Sequence, residues 1–387
     1  MSVRKRTWVT RKGEKREAWI VQYSDRDGVD RIKTFARKKD ANDYHATVRV
    51  NVRDGVHTSG KATVAEAGKK WLDDAEDRLK RAKLERATVE SYRQHFDDHI
   101  KPYIGPLKLS QLTVPRVREF MDTLRLEKRS DAMIKKVIGD LGSILAEAQE
   151  RGLVAQNVVR SLSTHKKRKQ SERRQKRLLK VGVDIPAPME IRAIVTHLKG
   201  RWRPLLLTAI FTGLRASELR GLKWADVDLK KAELHVRQRA DRYNSIGHTK
   251  SVSGQRTLPL PPIVVNTLRE WRLTCPRTDM DLVFPTGAGG IENLSNILQR
   301  GLAPAQIAAD VTKDGKAKYT GLHALRHFYA SWCINRVKDG GLELPLKVVQ
   351  HRLGHSSIQT TADIYGHLFP RGDDGAELAA AQEALLG

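Results

Sequence analysis

Apolar residues follow different rhythms in different parts of the chain. Near the N-terminus, Trp19-Ile-Val-Gln-Tyr23 and Arg31-Ile-Lys-Thr-Phe35 have strand character on either side of an Asp27-Gly28 turn signal, which predicts a hairpin. Lys38-Lys39-Asp40-Ala41 then opens a helix expected to reach about Asp54-Gly55. After a polar stretch from His57 to Ala62, Thr63 followed three residues later by Glu66 has the form of a helix capping box. From there to about Arg160 the period is helical. Trp71, Leu72, Ala75 and Leu79 share one face, Val117, Phe120, Met121 and Leu124 another, and Ile134, Val137, Ile138, Leu141, Ile144 and Leu145 a third. Pro102, Gly105-Pro106 and Pro115 punctuate these helices.

A second core begins after Pro186 and Pro188. Leu205 to Phe211 is an apolar run ending at Gly213, while Glu233-Leu-His-Val236 and Arg256-Thr-Leu-Pro-Leu260 read as short strands, with Gly247 and Gly254 in their connection. Helices resume over Ile263 to Trp271, around His323 to Val337, and from Leu346 onward. The stretch from His165 to Lys180 is rich in Lys and Arg with one acidic residue among them and repels itself, which suits an extended linker that grips phosphate backbone; a nuclear-localisation signal is the lesser reading. Ala376 to Leu386 is a good helix former by propensity, able to pack on its own domain or on a neighbouring subunit. The expected layout is multidomain and mainly α with α+β parts: a small β-hairpin and helix domain over 1–58, a helical domain over 62–162, a basic linker over 163–185, a mixed α/β domain over 186–372 and a tail helix over 373–387.

Charge narrows the function. Lysine and arginine number 71 against 45 acidic residues, a net +26 that points to a polyanion, with DNA or RNA phosphates favoured. An anionic membrane competes, but no basic amphipathic helix with a Trp/Phe/Leu face supports it. A mean hydropathy of −0.51 leaves no run long enough to span a bilayer, so a soluble protein is expected. The basic N-terminus lacks the apolar core of a secretory signal. Cys275 and Cys333, far apart, suggest neither a disulfide framework nor a cysteine zinc site, which fits a reducing cytoplasm.

Four segments carry candidate chemistry: Thr212-Gly-Leu-Arg215-Ala-Ser-Glu-Leu219, His323-Ala-Leu-Arg326-His327, Leu353-Gly-His355-Ser and Ile364-Tyr365-Gly-His367, together with Thr249-Lys250-Ser before the strand at Arg256. In that order they resemble the boxes of the tyrosine recombinase (phage and genomic-island integrase) family. Each box alone is weak; the ordered set over residues 190–370 is specific. The chemistry also follows from the residue types. Cutting and resealing a phosphodiester without a nucleotide cofactor needs a nucleophile that stores the bond, and Tyr365 is the candidate. Its phenol is protonated at neutral pH and needs help to lose its proton. Arg215 and Arg326 suit a clamp on the non-bridging oxygens, Lys250 a general acid for the departing 5′ oxygen, His323 proton transfer at the tyrosine, and His355 a hold on a phosphate oxygen.

Competing readings accompany several of these residues. Tyr329, on the same expected helix as Arg326, is a second phenol near the site, and Arg215 with Glu218 could form a surface ion pair. His323 with His327 and His351 with His355 have metal-pair spacing, but neither has a third ligand in its motif; no metal is expected, and His327 and His351 are read as structural.

The resemblance implies a SAM-like fold for the helical core-binding domain and a tyrosine-recombinase catalytic domain. It implies a 3′-phosphotyrosyl intermediate on double-stranded DNA, core-type and arm-type attachment sites, and a homotetramer on DNA in the cytoplasm of a bacterial host. It further implies integration and excision of a phage or other mobile element with a small excision factor and a host DNA-bending protein, and no membrane or cofactor. A type IB topoisomerase, a catalytically inactive DNA-binding regulator and a resolvase of chromosome dimers are the rivals. The separate N-terminal module argues against the first and third, and the full set of six residues against the second.

Overall fold

The computed structural model describes residues 2–10, 13–24, 30–53, 62–162, 178–249, 252–277, 279–370 and 375–386, which fall into two units, Met1–Arg174 and Gln175–Gly387. The chain is mainly helical with small sheets, as its patterning predicts.

The first unit contains two separate hydrophobic clusters. In the N-terminal one, strands β1 (Ser2–Val9), β2 (Lys15–Ser24) and β3 (Asp30–Phe35) form an antiparallel sheet in that order. Val21 and Tyr23 of β2 pack on Ala41 and Val48 of helix α1 (Lys38–Arg53). The predicted hairpin is β2–β3, and its Asp27-Gly28 turn lies outside the described residues. Strand β1 is an addition to the sequence reading. All of it except Val3 is exposed, so it carries no buried alternation by which to recognise it.

The helical cluster starts at the predicted capping box. Thr63 Oγ1 accepts the Glu66 N–H at 3.2 Å and Glu66 Oε2 accepts the Thr63 N–H at 2.9 Å, which satisfies two donors that a helix start leaves orphaned. Helices α2 (Val64–Lys80), α3 (Arg86–His95), α4 (Val114–Leu126) and α5 (Asp131–Glu150) bury the three predicted stripes, with Leu79, Met121 and Ile138 only half-buried at their edges.

In the second unit, helices α6 (Pro188–His197), α7 (Trp202–Thr212) and α8 (Ala216–Arg220) precede a three-stranded antiparallel sheet. That sheet consists of β4 (Val227–Asp228), β5 (Glu233–Val236) and, beyond a separate hairpin of β6 (Gln238–Ala240) and β7 (Ile246–His248), β8 (Arg256–Pro259). Helices α9 (Pro262–Thr274), α10 (His323–Ile334), α11 (Leu346–Leu353), α12 (Ile358–Tyr365) and α13 (Gly375–Leu386) follow. The apolar run of α7 is buried on nearly all sides and forms the middle of the core.

Two further differences from the sequence reading have physical reasons. Leu294–Asn296, Ile297–Leu302 and Ala303–Ala308 make a helical segment where Gly301 and Pro304 argue against one. A wide π turn accommodates the break, and Gly301 admits the Trp202 ring to 3.1 Å from where a Cβ would stand. Residues 163–177 of the expected linker lie outside the described residues, whereas Ile185 is fully buried in the second core with Leu179 packed against it. Among the described residues no helix is long and apolar enough to cross a membrane.

Candidate active site

Glycines set the backbone of this site. Helix α7 ends at Gly213 in the left-handed conformation (φ +61°), and the Tyr329 ring lies where a side chain would project, 2.4 Å from an added Cβ. The chain then turns through buried Leu214 into Arg215, the N-cap of α8. One turn into α8, Glu218 accepts the Arg215 backbone N–H at 2.9 Å and Arg215 Nη1–H at 2.8 Å.

The carboxylate of Glu218 is no surface partner. It is buried, and it also accepts from Nη1 and Nη2 of the fully buried Arg256 of β8, at 3.1 and 2.8 Å. Burial alone would push this carboxyl up, but the hydrogen bonds and charge of Arg256, with the charge of Arg215, hold it down at about 2.

The C-terminus of α11 gathers three arginines on three successive carbonyls. Arg256 Nε donates to Arg352 O at 2.8 Å, Arg326 Nη2 to Leu353 O, and Arg215 Nη2 to Gly354 O at 3.0 Å. Arg326 Nη1 donates in addition to Gly213 O, at the end of α7, at 2.6 Å. Helix C-termini carry orphan carbonyls and the negative end of the helix dipole, so they are suited to hold guanidinium groups in place. Arg326 is 2% exposed, and burial with the nearby positive charge of Arg215 lowers it to about 10, which still leaves it protonated at neutral pH. Arg215 remains partly exposed. Gly354 permits the corner: its φ is +62°, and Arg256 Nη1 lies 2.8 Å from an added Cβ.

Tyr365, the last residue of α12, is 1% exposed within a small cluster that includes Tyr329, Val349 and Leu353. Burial pushes its phenol up to about 12 against the opposing pull of Arg326 and Arg215. Its hydroxyl lies 2.7 Å from His327 Nδ1. His355 stacks parallel to the tyrosine ring, with centroids 6.4 Å apart, and its Nδ1 lies 2.9 Å from Thr361 Oγ1. Both imidazoles are pushed down to about 4. Burial is the main cause in each; His323 and Arg326 add to it at His327, and Arg326 and Arg215 at His355.

The structure therefore gathers Arg215, Arg326, His355 and Tyr365 in one place, with His323 alongside. The sequence reading gives proton transfer at the tyrosine to His323 and a structural place to His327; in the structure the ring at the Tyr365 hydroxyl belongs to His327, while His323 stands edge-on to the His327 ring at 4.6 Å. Their four-residue spacing placed both on one helix face without indicating which of them faces α12. Glu218 and Arg256 also escaped the sequence reading. The first looks like a surface i,i+3 partner and the second like an ordinary strand residue, because burial is not written in either motif.

Lys250 lies outside the described residues. The residue before it, Thr249, has its side chain 2.7 Å from an added Cβ at Gly254, and Gly254 O accepts from Arg256 Nη1 at 2.9 Å. The hairpin leading to it is anchored from α8 by Arg220, which donates to Glu292 O at 2.5 Å, Asp241 O at 3.1 Å and Asn244 Oδ1. Tyr329, the rival phenol, is buried against Gly213, Trp332 and Cys333. His351 is exposed on α11, and among the described residues no group of three or more His, Cys, Asp or Glu side chains could hold a metal ion.

Comparison with known proteins concerns the family and the fold. Residues 186–371 match the profile described as phage integrase family, and residues 63–125 the phage integrase N-terminal SAM-like domain. A tyrosine recombinase XerC-like protein of Caldanaerobacter subterraneus subsp. tengcongensis is 26% identical over 361 residues, covering 86% of this chain and 87% of the relative. The tyrosine recombinase XerC of Xanthomonas axonopodis pv. citri is 27% identical over 293 residues, 74% of this chain and 84% of the relative. Among solved structures, the Tn1549 transposon integrase in complex with a circular intermediate DNA shares the fold with a TM-score of 0.60 at 16% identity, over 84% of this chain and 99% of that one. A lambda integrase tetramer bound to a Holliday junction does so with a TM-score of 0.53 at 15% identity, over 91% and 95%.

Proposed function

Because the chain belongs to the tyrosine recombinase family of site-specific DNA recombinases, we propose that it cleaves and rejoins double-stranded DNA through a 3′-phosphotyrosyl bond to Tyr365 and thereby integrates and excises a mobile genetic element. The observation that carries the chemical part is the gathering of Arg215 and Arg326 on the adjacent carbonyls of Gly354 and Leu353, with the Tyr365 phenol in the same cluster.

In this reading a scissile phosphate sits on the two guanidinium groups, whose fixed charge meets the negative charge that grows on its non-bridging oxygens. Arg256 and Glu218 keep the Arg215 fork oriented. His355 donates to a phosphate oxygen, His323 borders the same anion, and Lys250 protonates the departing 5′ oxygen. A free 5′ hydroxyl from the partner duplex then attacks the phosphotyrosine, so the bond energy is retained and no nucleotide cofactor is used.

The mobile-element part rests on the N-terminal sheet and helix, a module separate from the helical cluster and suited to a second class of DNA site. The proposed assembly is a homotetramer bridging core-type and arm-type attachment sites in the cytoplasm of a bacterial host, directed by a small excision factor and a DNA-bending host protein. Two plasmids carrying the DNA that flanks the gene and its chromosomal target test this. Recombinant junctions found by sequencing only when both sites are present support the reading. Relaxation of supercoiled plasmid without exchange would favour a topoisomerase, and DNA binding without either would favour a regulator.

A further inference from the structure

We infer that His327 is the group that accepts the Tyr365 proton during strand cleavage and returns it during religation. The inference rests on Tyr365 being the nucleophile and adds the identity of its base.

The geometry is direct. Nδ1 of His327 stands 2.7 Å from the phenolic oxygen, within the reach a general base requires. No such hydrogen bond joins His323 to the tyrosine among the described contacts; that ring meets the edge of His327 instead. The groups facing His327 are His323 and Arg326 on its own helix, Tyr365 on α12, and Asp184 on the segment before α6. Two of these are positive or can become so, and with burial they keep the imidazole neutral at neutral pH, with Nδ1 free to accept if Nε2 carries the ring proton. The phenol, in turn, is too weak an acid to ionise unaided.

The step balances without a further reactant. As the Tyr365 oxygen bonds to phosphorus, its O–H bond breaks and the proton moves to His327 Nδ1, giving an imidazolium, while the P–O5′ bond breaks and the 5′ oxygen takes a proton from Lys250. The phosphate that has entered between Arg215 and Arg326 offsets their charge and makes the imidazolium tolerable at that moment. In religation the attacking 5′ hydroxyl passes its proton to Lys250, and His327 reprotonates the phenolate as it leaves.

The test is single-turnover formation of the covalent adduct on nicked attachment-site DNA, followed against pH for wild type, His327→Gln and His327→Ala, with folding and DNA binding measured for each. A glutamine carbonyl can hold the phenol by a hydrogen bond but cannot take its proton. The expected result is a loss of about 100-fold or more for His327→Gln at pH 7.5 with DNA binding kept. The acid limb of the wild-type profile should also vanish, and added imidazole should partly restore His327→Ala. A folded, DNA-binding His327→Gln that cleaves within a few-fold of wild type, or keeps the same acid limb, would overturn the inference, and faster cleavage would make the contact a restraint on the nucleophile. Should His327→Gln not fold, the imidazole response of His327→Ala decides in the same sense. An adduct formed by Tyr365→Phe would instead remove the underlying reading, whatever His327 does.

Discussion

At the scale of single residues, the site holds its neutral histidines and its ionised glutamate to lower pH than water would. His327 and His355 are buried neutral, each at about 4, and Glu218 is buried ionised at about 2. An unfolded histidine titrates near 6.5 and an unfolded glutamate near 4.3. Below about pH 6.5 the unfolded chain therefore binds protons that the folded histidines refuse until about 4, and below about 4.3 the unfolded glutamate does the same until about 2. All three contributions are present at neutral pH and are lost on acidification. The second unit is thus expected to melt at a lower temperature at pH 5 than at pH 7.5. A calorimetric scan at the two pH values checks this, and His327→Gln should reduce the difference. What the sequence could not convey at this scale was burial. Arg215, Arg326, His355 and Tyr365 were visible through their motifs, whereas Glu218, Arg256 and His327 matter through what they touch, and their neighbours come from elements far away in the chain.

At the scale of elements, the end of α11 organises the centre. Three consecutive carbonyls hold three arginines from β8, α10 and the start of α8, and this works only because Gly354 turns left-handed against Arg256. Gly354→Ala would meet both the backbone penalty of φ +62° and the Arg256 guanidinium, so it is expected to destabilise the second unit by about 1–3 kcal/mol. It should also slow cleavage more than it weakens DNA binding. Gly139, exposed in the middle of α5 with open space around a Cβ, is the opposite case. Gly139→Ala is expected to stabilise the helical cluster by roughly 0.5–1 kcal/mol through helix propensity alone. Denaturant melts of the two variants should shift in opposite directions. Elements with strong periodicity, such as α2, α4, α5 and α7, were legible in advance because one stripe or nearly every side of each is buried. Strand β1 and the helix interrupted at Gly301 and Pro304 were not, since one buries almost nothing and the other depends on a π turn fitted to Trp202.

At the scale of the whole molecule, a surplus of 26 positive charges sets the encounter with DNA. If six to ten phosphates are engaged, affinity for attachment-site DNA should fall by at least about 1,000-fold between 50 and 200 mM salt, as fluorescence anisotropy would show. A slope near zero would mean that the charge serves something other than the backbone. The proposed chemistry turns on one bond, between Tyr365 and a DNA phosphate. Wild-type protein and Tyr365→Phe are incubated with nicked attachment-site DNA, with neither metal nor nucleotide added, and resolved on a denaturing gel. A covalent protein–DNA species with wild type and none with Tyr365→Phe is the predicted result. An adduct with both proteins, or with neither while both bind the DNA, would contradict the assignment of Tyr365 as the nucleophile.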